Sequence, residues 1–378
     1  MSNIQVIQVS SKREMNDFIS FTRSLYSGYS QYVPDLDIEM RDFFDPAKNS
    51  NLAYAEVQPF LALRDGQVVG RVTGIISHKS NEAWSKHIVR FTHLEFIDDR
   101  SVSEALLSTV AEWGREHGMN EIQGPMGITD FDKEGMLIED FQMQGCFMEF
   151  WNPPYYKEHM EALGFGKAAD WLQIRFQVPS EVPSRFQRVA DYSKQEFGIH
   201  MVRKTRREIY GDFGKEIIQL VNVTFSQLYG FAPFSEEQGT QLIKRFLPLV
   251  DLDMLAFAED KDNRLAGVAI TCRDFSDGIQ RSRGRLLPFG WWHILKALKF
   301  GHQDKAQLMI IGVRPDLQGM GVNAAMFAHL IPIYHRLGIK WCETNPQLDT
   351  NVRELSQWKP LSPSLVKRRR CWTKEIGK

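Results

Sequence analysis

The chain has 378 residues, of which 43% are hydrophobic and 25% are charged, and both values are close to globular averages. They exclude a disordered or fibrous protein and predict two or three domains. With 46 basic and 47 acidic residues the formal net charge is −1, so no overall field attracts the chain to nucleic acid or to anionic membranes.

The four cysteines are scattered along the chain and form no CxxC pair. This spacing argues against a disulfide framework and against structural zinc, and it favours a reducing compartment. No apolar run is long enough to span a membrane, and the first residues do not resemble a secretion signal. We therefore expect a cytoplasmic protein without a metal site or a membrane span.

Two parts of the chain repeat the same pattern. Phe60 to Ile76 contains two apolar runs around an Asp-Gly turn, which predicts a β-hairpin. Met254 to Thr271 repeats these runs around a polar turn, and Gly267 follows Gly70 at an offset of 197 residues. Each half of the chain is therefore predicted to contain a central hairpin.

A helical pattern follows each hairpin. It ends at Gly118 in the first half and at Gly338 in the second, an offset of 220 residues. Because this offset exceeds that of the hairpins, the second half has gained about 23 residues between hairpin and helix. We predict that the extra residues lie in the stretch 276–305, which contains the sequence RLLPFGWWHILKALKF.

The stretch VPSEVPS, from Val178 to Ser184, combines prolines with small polar residues and is typical of a linker. It predicts a first domain over residues 1–178 and a second over residues 185–378. Apolar periodicity predicts helices over 12–26, 213–229 and 236–249, besides those that follow the hairpins. The predicted fold class is mixed α/β, with two tandem units that are each a mixed, mostly antiparallel sheet flanked by helices.

One segment of the second half predicts a ligand site. Residues Gln307 to Ala325 read as a buried strand, a loop with Gly319 and Gly321, and the start of a helix. Unpaired backbone N–H groups at a helix N-terminus and the helix dipole both favour an anion such as phosphate. The glycines would let the backbone approach that anion closely, a reason for them that packing alone does not supply. The alternative is a tight strand-to-helix turn that binds nothing.

This loop resembles the acyl-CoA loop of the GNAT N-acyltransferases, which reads Arg or Gln, two residues, Gly, one residue, and Gly or Ala. The stretch from Gln318 to Asn323 fits, except that Asn323 replaces the final small residue. The resemblance covers essentially the whole chain as two tandem GNAT-like units, and it implies acetyl-CoA or another acyl-CoA as co-substrate. The residues that it implies for binding are Ile311, Gly312, Val313, Gln318, Gly319, Met320, Gly321, Val322, Asn323 and Asn351.

The first half contains no such loop. Its strand pattern from Phe91 to Ile97 runs directly into Asp98 and Asp99 without a glycine. Carboxylates at that place would repel a phosphate. We therefore expect a degenerate first unit that does not bind CoA and that serves as a scaffold or as one wall of the acceptor cleft.

GNAT enzymes usually carry a late Tyr that protonates the thiolate, in a helix that reads Asn, two residues, Ala, three residues, Tyr. The register from Asn351 places Glu354 at the Ala position and Trp358 at the Tyr position, and the first half has Met160 there. Trp358 is therefore the catalytic candidate by position, although an indole N–H cannot act as an acid near neutral pH. Glu343 is the candidate general base because it ends a predicted strand beside the co-substrate. The alternative for Glu343 is a solvated or helix-capping role.

Three further segments carry weaker signals. A glycine-rich stretch holds Asp130, Asp132 and Glu134, which either bind an acceptor or belong to an ordered loop. The aromatic and basic residues of 285–300 predict an amphipathic segment that lies weakly on a membrane surface, covers an acyl pocket or packs inside the protein. The basic runs 203–207 and 367–370 predict exposed strand faces and not a nucleic-acid site.

The resemblance implies an acyl-CoA-dependent N-acyltransferase that transfers an acyl group such as acetyl to the primary amine of a small molecule. The alternative is a catalytically silent double-GNAT protein that senses acyl-CoA or serves as a scaffold, a role that Asn323 and Trp358 favour. Transfer from aminoacyl-tRNA is a third hypothesis, which the neutral overall charge disfavours.

Overall fold

The computed structural model describes residues 4–300 and 303–377. Contacts between residues divide the chain into two compact units. Unit 1 takes the described residues within Met1–Leu172, Ser276–Leu295 and Lys367–Lys378, and unit 2 takes those within Gln173–Phe275 and Lys296–Val366. The units are not contiguous in sequence, because the predicted insertion 276–305 is divided between them and the C-terminal strand returns to unit 1.

The first part of the chain alternates strands and helices. Its elements are β1 (Ile4–Gln8), α1 (Lys12–Leu25), α2 (Asp37–Phe43), β2 (Ala55–Arg64), β3 (Gln67–Ser77), α3 (His78–Trp84), β4 (Ile88–Phe96), α4 (Arg100–Glu116), β5 (Glu121–Gly124), β6 (Met136–Glu139), α5 (Tyr155–Ala162) and β7 (Gly166–Gln177). The hairpin predicted around the Asp-Gly turn is β2–β3, and the helix predicted to end at Gly118 is α4.

The second part adds helices before its hairpin. Its elements are α6 (Ser184–Phe197), β8 (His200–Val202), α7 (Arg206–Tyr210), α8 (Asp212–Phe225), α9 (Glu236–Phe246), β9 (Leu255–Glu259), β10 (Leu265–Arg273), α10 (Ser276–Ser282), α11 (Gly290–Leu295), β11 (Lys305–Val313), α12 (Val322–Arg336), β12 (Trp341–Thr344), β13 (Gln347–Leu348), α13 (Val352–Gln357) and β14 (Ser364–Glu375). The predicted hairpin β9–β10 and the predicted helices α8, α9 and α12 are confirmed.

Several helices begin at residues that satisfy their free N–H groups. Ser11 accepts a hydrogen bond from the backbone of Glu14, whose side chain bonds back, and this capping box starts α1. Ser235 and Gln238 start α9 in the same way. Helix α12 differs, because its N-cap is Gly321, which has no side chain to offer.

Each unit contains one sheet in which a single pair of neighbouring strands is parallel. In unit 1 the order is β1, β2, β3, β4, β5 and the C-terminal part of β14, and only β4 and β5 run parallel. In unit 2 the order is β7, β12, β11, β10, β9 and β8, and only β11 and β12 run parallel. The mixed α/β fold class is confirmed in both units.

The repeated glycines occupy matching places in the two units. A Cβ on Gly70 would lie 2.9 Å from Val102 and 2.8 Å from Leu106 of α4, and a Cβ on Gly267 would lie 2.8 Å from Val322 of α12. Glycine therefore lets the following helix pack closely on the hairpin in each unit. These helices carry the core, with Leu106 and Val110 fully buried in unit 1 and Met326 and Leu330 fully buried in unit 2.

The expectation that both basic runs form exposed strand faces is wrong. In β14, Lys367 and Arg369 are fully buried, and both contact the buried carboxylate of Glu149, at 3.1 Å and 2.6 Å. Residues 203–207 lie in a loop and at the start of α7 and not in a strand. Lys367 and Arg369 point inward because the buried Glu149 pairs with both of them. Glu149 lies too far away in sequence to be recognised as their partner.

No helix within 4–300 and 303–377 is long and apolar enough to cross a membrane. The four cysteines are buried thiols that form no disulfide.

Candidate functional site

Strand β11 has a bulge that opens one of its edges. Against β10, Ile270 faces Ile310 but Thr271 faces Leu308, so Met309 is an extra residue. On the other side, pairing with β12 covers only Lys305 to Leu308. A bulge bends its strand and interrupts pairing, so the last residues of β11 diverge from β12.

Asn345 holds the point where the strands separate. Its backbone N–H donates to the carbonyl of Leu308 at 3.0 Å, and its side-chain amide donates to the carbonyl of Met309 at 2.7 Å. The carbonyls of Leu308 and Met309 thus point to the same side of the strand, as expected at a β-bulge. The pattern of the sequence did not indicate Asn345, since the bulge itself leaves no signal in the hydrophobic periodicity.

The open edge presents the backbone of Ile311 and Val313. The N–H of Arg314 donates to Ala266 in the direction of β10, at 2.8 Å. Because successive residues of a strand face opposite edges, Val313 faces away from β10, and its carbonyl accepts from Gln318 Nε2 at 3.2 Å. The N–H groups of Ile311 and Val313 therefore face the edge that β12 does not cover, whereas Gly312 faces β10.

The loop after β11 begins at Arg314, which forms ion pairs with two aspartates. Arg314 Nη2 donates to Asp260 Oδ2 at 2.7 Å, and Arg314 Nε donates to Asp316 Oδ1 at 2.8 Å. Burial opposes the ionised form of Asp260, but the bond from Arg314 prevails and lowers the pKa of Asp260 to about 2. Both carboxylates stay charged at neutral pH and hold the start of the loop, and the charge of Arg314 is neutralised by them.

The loop ends at the uncapped N-terminus of α12. Gly319 and Gly321 have φ angles of +81° and +88°, which favour glycine. A Cβ at Gly319 would meet nothing within 4 Å, whereas a Cβ at Gly321 would lie 2.9 Å from the carbonyl of Val189 in α6. The expectation that packing does not explain these glycines is therefore wrong for Gly321, which also lets α12 lie against α6. The first N–H groups of α12 have no capping side chain at Gly321 and can serve an anion.

Asn323, which departs from the loop pattern, is bonded to another helix. Its Nδ2 donates to Gln357 Oε1 of α13 at 2.7 Å, while Asn323 Oδ1 and Gln357 Nε2 are buried without a hydrogen-bond partner. The neighbouring Val322 is buried in the core, so only its backbone faces the loop. Met320 is exposed at the tip of the loop.

Trp358 belongs to the core of unit 2. It is fully buried, it stacks on Phe176 at 5.6 Å between ring centroids, and its Nε1 donates to Gln347 at 2.9 Å. Asn351 is the N-cap of α13 and accepts from the backbone of Glu354. The structure gives both residues structural contacts, and their roles in catalysis and binding stay predictions.

Glu343 is also fully buried, on β12. Its Oε2 accepts hydrogen bonds from Arg175 Nη2 at 2.7 Å and from Arg175 Nε at 3.1 Å. This carboxylate oxygen is therefore engaged by the guanidinium in a charge-assisted pair of hydrogen bonds. Its role as a general base stays a prediction, which this geometry does not support.

Glu354 of α13 is an acidic residue of this region whose pKa is raised. It is half-buried, and its carboxylate accepts a hydrogen bond from Gln347 Nε2 at 2.8 Å. Burial raises the pKa of Glu354 to about 7, so the side chain exchanges a proton near neutral pH. The sequence places Glu354 at the Ala position of the GNAT motif, and that departure was the signal for this residue.

Unit 1 has the same bulged strand with a closed edge. Between β3 and β4, Arg71 faces Glu95 but Thr73 faces Thr92, so β4 also holds one extra residue. Its edge is filled by α5, because Phe96 N–H donates to the Tyr156 hydroxyl at 3.0 Å and the Tyr155 hydroxyl donates to the Phe96 carbonyl at 2.6 Å.

The helix that follows β4 carries its own anion. Asp99 is the N-cap of α4 and accepts from the Ser101 N–H at 2.9 Å. Hydrogen bonds from Ser101 and Arg64 lower the pKa of Asp99 to about 2. The place that a phosphate would take in unit 1 is therefore held by a carboxylate of the chain.

The acidic stretch of unit 1 forms a loop in which Asp130 and Glu134 are half-buried. Burial raises the pKa of Asp130 to about 6, and the pKa of Glu134 lies well above its usual value. Asp132 instead accepts from the Thr129 N–H within the loop at 2.9 Å. No group of three or more His, Cys, Asp or Glu residues in the described part of the chain is placed to hold a metal ion.

Solved structures share the fold of this chain. A tandem GNAT protein from the clavulanic acid biosynthesis pathway matches with a TM-score of 0.57 and 12% identity, over 100% of this chain and 99% of that one. The chain has the tandem GNAT fold. In unit 1 the strand edge and the helix N-terminus are both closed, whereas in unit 2 the end of β11 is not paired with β12 and α12 has no capping side chain.

Two relatives resemble the chain in sequence, although no family model matches it. Protein YghO of Escherichia coli K12 is 26% identical over 373 residues, which cover 97% of this chain and 94% of the relative. A protein of Caulobacter vibrioides named bacterial ceramide synthase is 26% identical over 318 residues, which cover 84% of this chain and 82% of the relative.

Proposed function

We propose that the chain is an acyl-CoA-dependent N-acyltransferase with one active site, in unit 2. The observation that carries the proposal is the uncapped glycine N-terminus of α12 directly after the open edge of β11. An anion at the helix N-terminus and an extended thiol arm along a strand edge are the two demands that a CoA thioester makes on a protein.

The residues of the loop fit the co-substrate. The pyrophosphate would accept hydrogen bonds from the first N–H groups of α12, where Gly321 offers no competing side chain. The pantetheine amides would bond to the edge of β11 at Ile311 and Val313. Asn323 is compatible with this placement because its amide is engaged by Gln357 of α13.

The chemistry is nucleophilic acyl transfer. The amine nitrogen attacks the thioester carbonyl, a C–N bond forms, and the C–S bond breaks to release the CoA thiolate. A backbone N–H near Val313 stabilises the oxyanion, as preorganised donors do in other acyl transfers. The amine loses one proton and the thiolate gains one.

We propose Glu354 as the group that supplies the proton to the thiolate. Its raised pKa keeps a large fraction protonated near pH 7, and a general acid works best when its pKa lies near the working pH. Trp358, at the Tyr position of the motif, has no proton to give near neutral pH.

The acceptor that we propose is an amine with a long alkyl chain. This step relies on the name of the Caulobacter relative, because a ceramide is the amide of a fatty acid with a long-chain amino alcohol. A small primary amine with an acetyl donor, as expected from the sequence, is the competing pair in the same assay.

A second function, acyl-CoA binding without transfer, is favoured by the buried Trp358. The two functions differ in whether free thiol is released. The test measures thiol release from acetyl-CoA and palmitoyl-CoA with sphinganine or with a short amine as acceptor.

The variant Glu354→Gln distinguishes the chemical role from mere binding. It should lower kcat by about 100-fold or more, with KM for acyl-CoA little changed, and it should remove the fall in kcat above about pH 7. Glu237→Gln, an exposed glutamate on α9, is the matched control and should behave as wild type. If acyl-CoA binds but releases no thiol with any acceptor, the sensor function is favoured. Equal kcat values for both variants would refute the role of Glu354.

A further inference from the structure

One surface of unit 1 combines exposed apolar residues with positive charge. It lies in the part of the predicted insertion that belongs to unit 1, and we call residues 281–292 the basic apolar segment. Its apolar members are Leu287, Phe289, Trp291 and Trp292, with exposed fractions of 78%, 73%, 47% and 47%. Large side chains are rarely exposed together in this way unless they bind something.

The charge of the segment has a single sign. Arg281, Arg283 and Arg285 are exposed beside the apolar residues. The sequence contains no acidic residue between Asp277 and Asp304, and Lys296 and Lys299 add two more cations after the segment. This local charge stands out because the net charge of the whole chain is −1.

The segment is held rigidly at its base. Gln280 Nε2 donates to the carbonyls of Ser30 and Tyr32, both at 2.8 Å, and the Asp37 N–H donates to the Gly284 carbonyl at 2.8 Å. A Cβ at Gly284 would lie 2.3 Å from the Asp35 carbonyl, so only glycine fits there. The base is thereby fixed in place on the rest of unit 1.

The loop that carries the apolar residues is closed by its own backbone. The Trp291 N–H donates to the Leu286 carbonyl at 2.9 Å, and the Trp292 N–H donates to the Phe289 carbonyl at 3.1 Å. A Cβ at Gly290 would lie 1.6 Å from the Arg285 carbonyl, so this tight closure requires glycine. Ile294 is buried behind the loop, and Leu287 and Phe289 are directed to solvent.

We infer that the basic apolar segment binds the surface of an anionic phospholipid bilayer. Indole rings prefer the boundary between headgroups and acyl chains, apolar tips gain by entering it, and nearby arginines are attracted to anionic headgroups. The inference goes beyond the proposed acyl transfer and stands without it.

A second copy of the chain fits this surface less well. A symmetric dimer would bring the three arginines of one segment against those of the other, and like charges at an interface repel. No acidic residue within the segment is present to compensate. The bilayer is therefore the occupant that matches both the apolar residues and the charge.

The test is co-sedimentation of the full chain with vesicles, without any acyl-CoA. We expect binding to vesicles that contain phosphatidylglycerol and binding at least about tenfold weaker to pure phosphatidylcholine, with a further loss when salt is raised, since salt screens the arginines. The double variant Leu287→Ser/Phe289→Ser should lose at least about tenfold in affinity for the anionic vesicles. The triple variant Arg281→Gln/Arg283→Gln/Arg285→Gln should lose the preference between the two lipids.

Matched controls lie on other surfaces. Val223→Ser changes an exposed apolar residue of α8, and Lys12→Gln/Arg13→Gln removes exposed cations at the start of α1. Both should bind vesicles as wild type does. The proposal is overturned if the chain binds neither kind of vesicle, if the segment variants bind like the controls, or if those variants only convert a dimer to a monomer in gel filtration.

Discussion

The two units use the same bulged strand and following helix, but one closes the site with its own side chains and the other leaves it open. In unit 1, Tyr155 and Tyr156 bond to the edge of β4, and Asp99 caps α4. In unit 2, β12 stops at Thr344, and the N-cap residue of α12, Gly321, offers no side chain.

Under the proposed function, this difference means that a few residues decide whether a unit of this fold binds acyl-CoA. The hairpin glycine and the buried helix behind it are shared, so the scaffold does not depend on the ligand. What changes is how the backbone N–H groups at the strand edge and the helix end are satisfied. Unit 1 satisfies them with a tyrosine hydroxyl and a carboxylate, whereas in unit 2 neither a capping side chain nor β12 covers them.

The largest expected effect is the loss of acyl-CoA binding when Gly321 is replaced by Val. The new side chain would meet Val189 and force the loop away from a φ of +88°. We expect affinity for acetyl-CoA to fall by at least about 100-fold in isothermal titration. Gly338→Ala, at the other end of α12 with φ +74° and open space, imposes the same kind of strain away from the loop and should bind normally.

A second variant separates binding from folding at the same loop. Met320 is exposed, so Met320→Glu places a negative charge beside the helix N-terminus without changing the packing against α6. We expect weaker acetyl-CoA binding at an unchanged melting temperature, with Met320→Gln close to wild type. Normal binding by Met320→Glu would place the phosphates elsewhere.

The next effect concerns Glu354 of α13. Its pKa is raised from 4.5 to about 7, so the unfolded chain loses this proton first as pH rises. The contribution of Glu354 to the free energy of unfolding is therefore fully present below about pH 4.5. It is lost as pH rises through 7, by about 3 kcal/mol in total. Glu354→Gln should be more stable than wild type at pH 8 by up to that amount and should show no gain at pH 4.5. Denaturant unfolding at both pH values measures it, and an equal difference at the two pH values would show that the carboxyl is not perturbed.

The glycine pair offers a test of likeness between the units. Gly70→Ala and Gly267→Ala each insert a methyl group between hairpin and helix, at distances of 2.8 Å from the nearest side-chain atoms. Overpacking of this kind should lower the free energy of unfolding by about 1–3 kcal/mol in both variants. Gly166→Ala, at a strand glycine with open space and no positive φ, is the matched control and should change stability little. A loss of stability in only one of the two variants would show that Gly70 and Gly267 do not have the same role in their units.

The smallest expected effect is the removal of the cap in unit 1. Asp99→Ala should lower stability by about 1 kcal/mol, because the N–H of Ser101 loses its acceptor. Acetyl-CoA affinity should stay unchanged, because the tyrosines still close the strand edge. A second CoA molecule bound by this variant would show that the carboxylate alone excludes the ligand.

Much of the fold could be predicted from local pattern. The hairpin around Asp65 and Gly66, the helix ending at Gly118 and the repeat that links them all depend on residues near each other in sequence. The division of the chain into units could not be predicted in this way, since 276–295 and the C-terminal strand join unit 1 through contacts with distant residues. The same holds for Lys367 and Arg369, whose burial depends on Glu149.

The loop of the site was predicted more completely than its surroundings. Glycines at positive φ leave a signal in sequence, and Gly319 and Gly321 carried it. Glu343 is predicted from its place at a strand end and Trp358 from the spacing of the motif. Neither signal reveals the Arg175 that pairs with Glu343 or the aromatic rings that surround Trp358. Asn345 was missed because a bulge is set by pairing between strands.

Hydrogen exchange of the backbone with and without acetyl-CoA tests most directly whether one unit is open and the other closed. Ligand bonded to the strand edge and to the helix N-terminus slows exchange of those amides. The account predicts protection in peptides that cover residues 310–325 and none in those that cover 91–103. Protection of 91–103, or of both stretches equally, would contradict it.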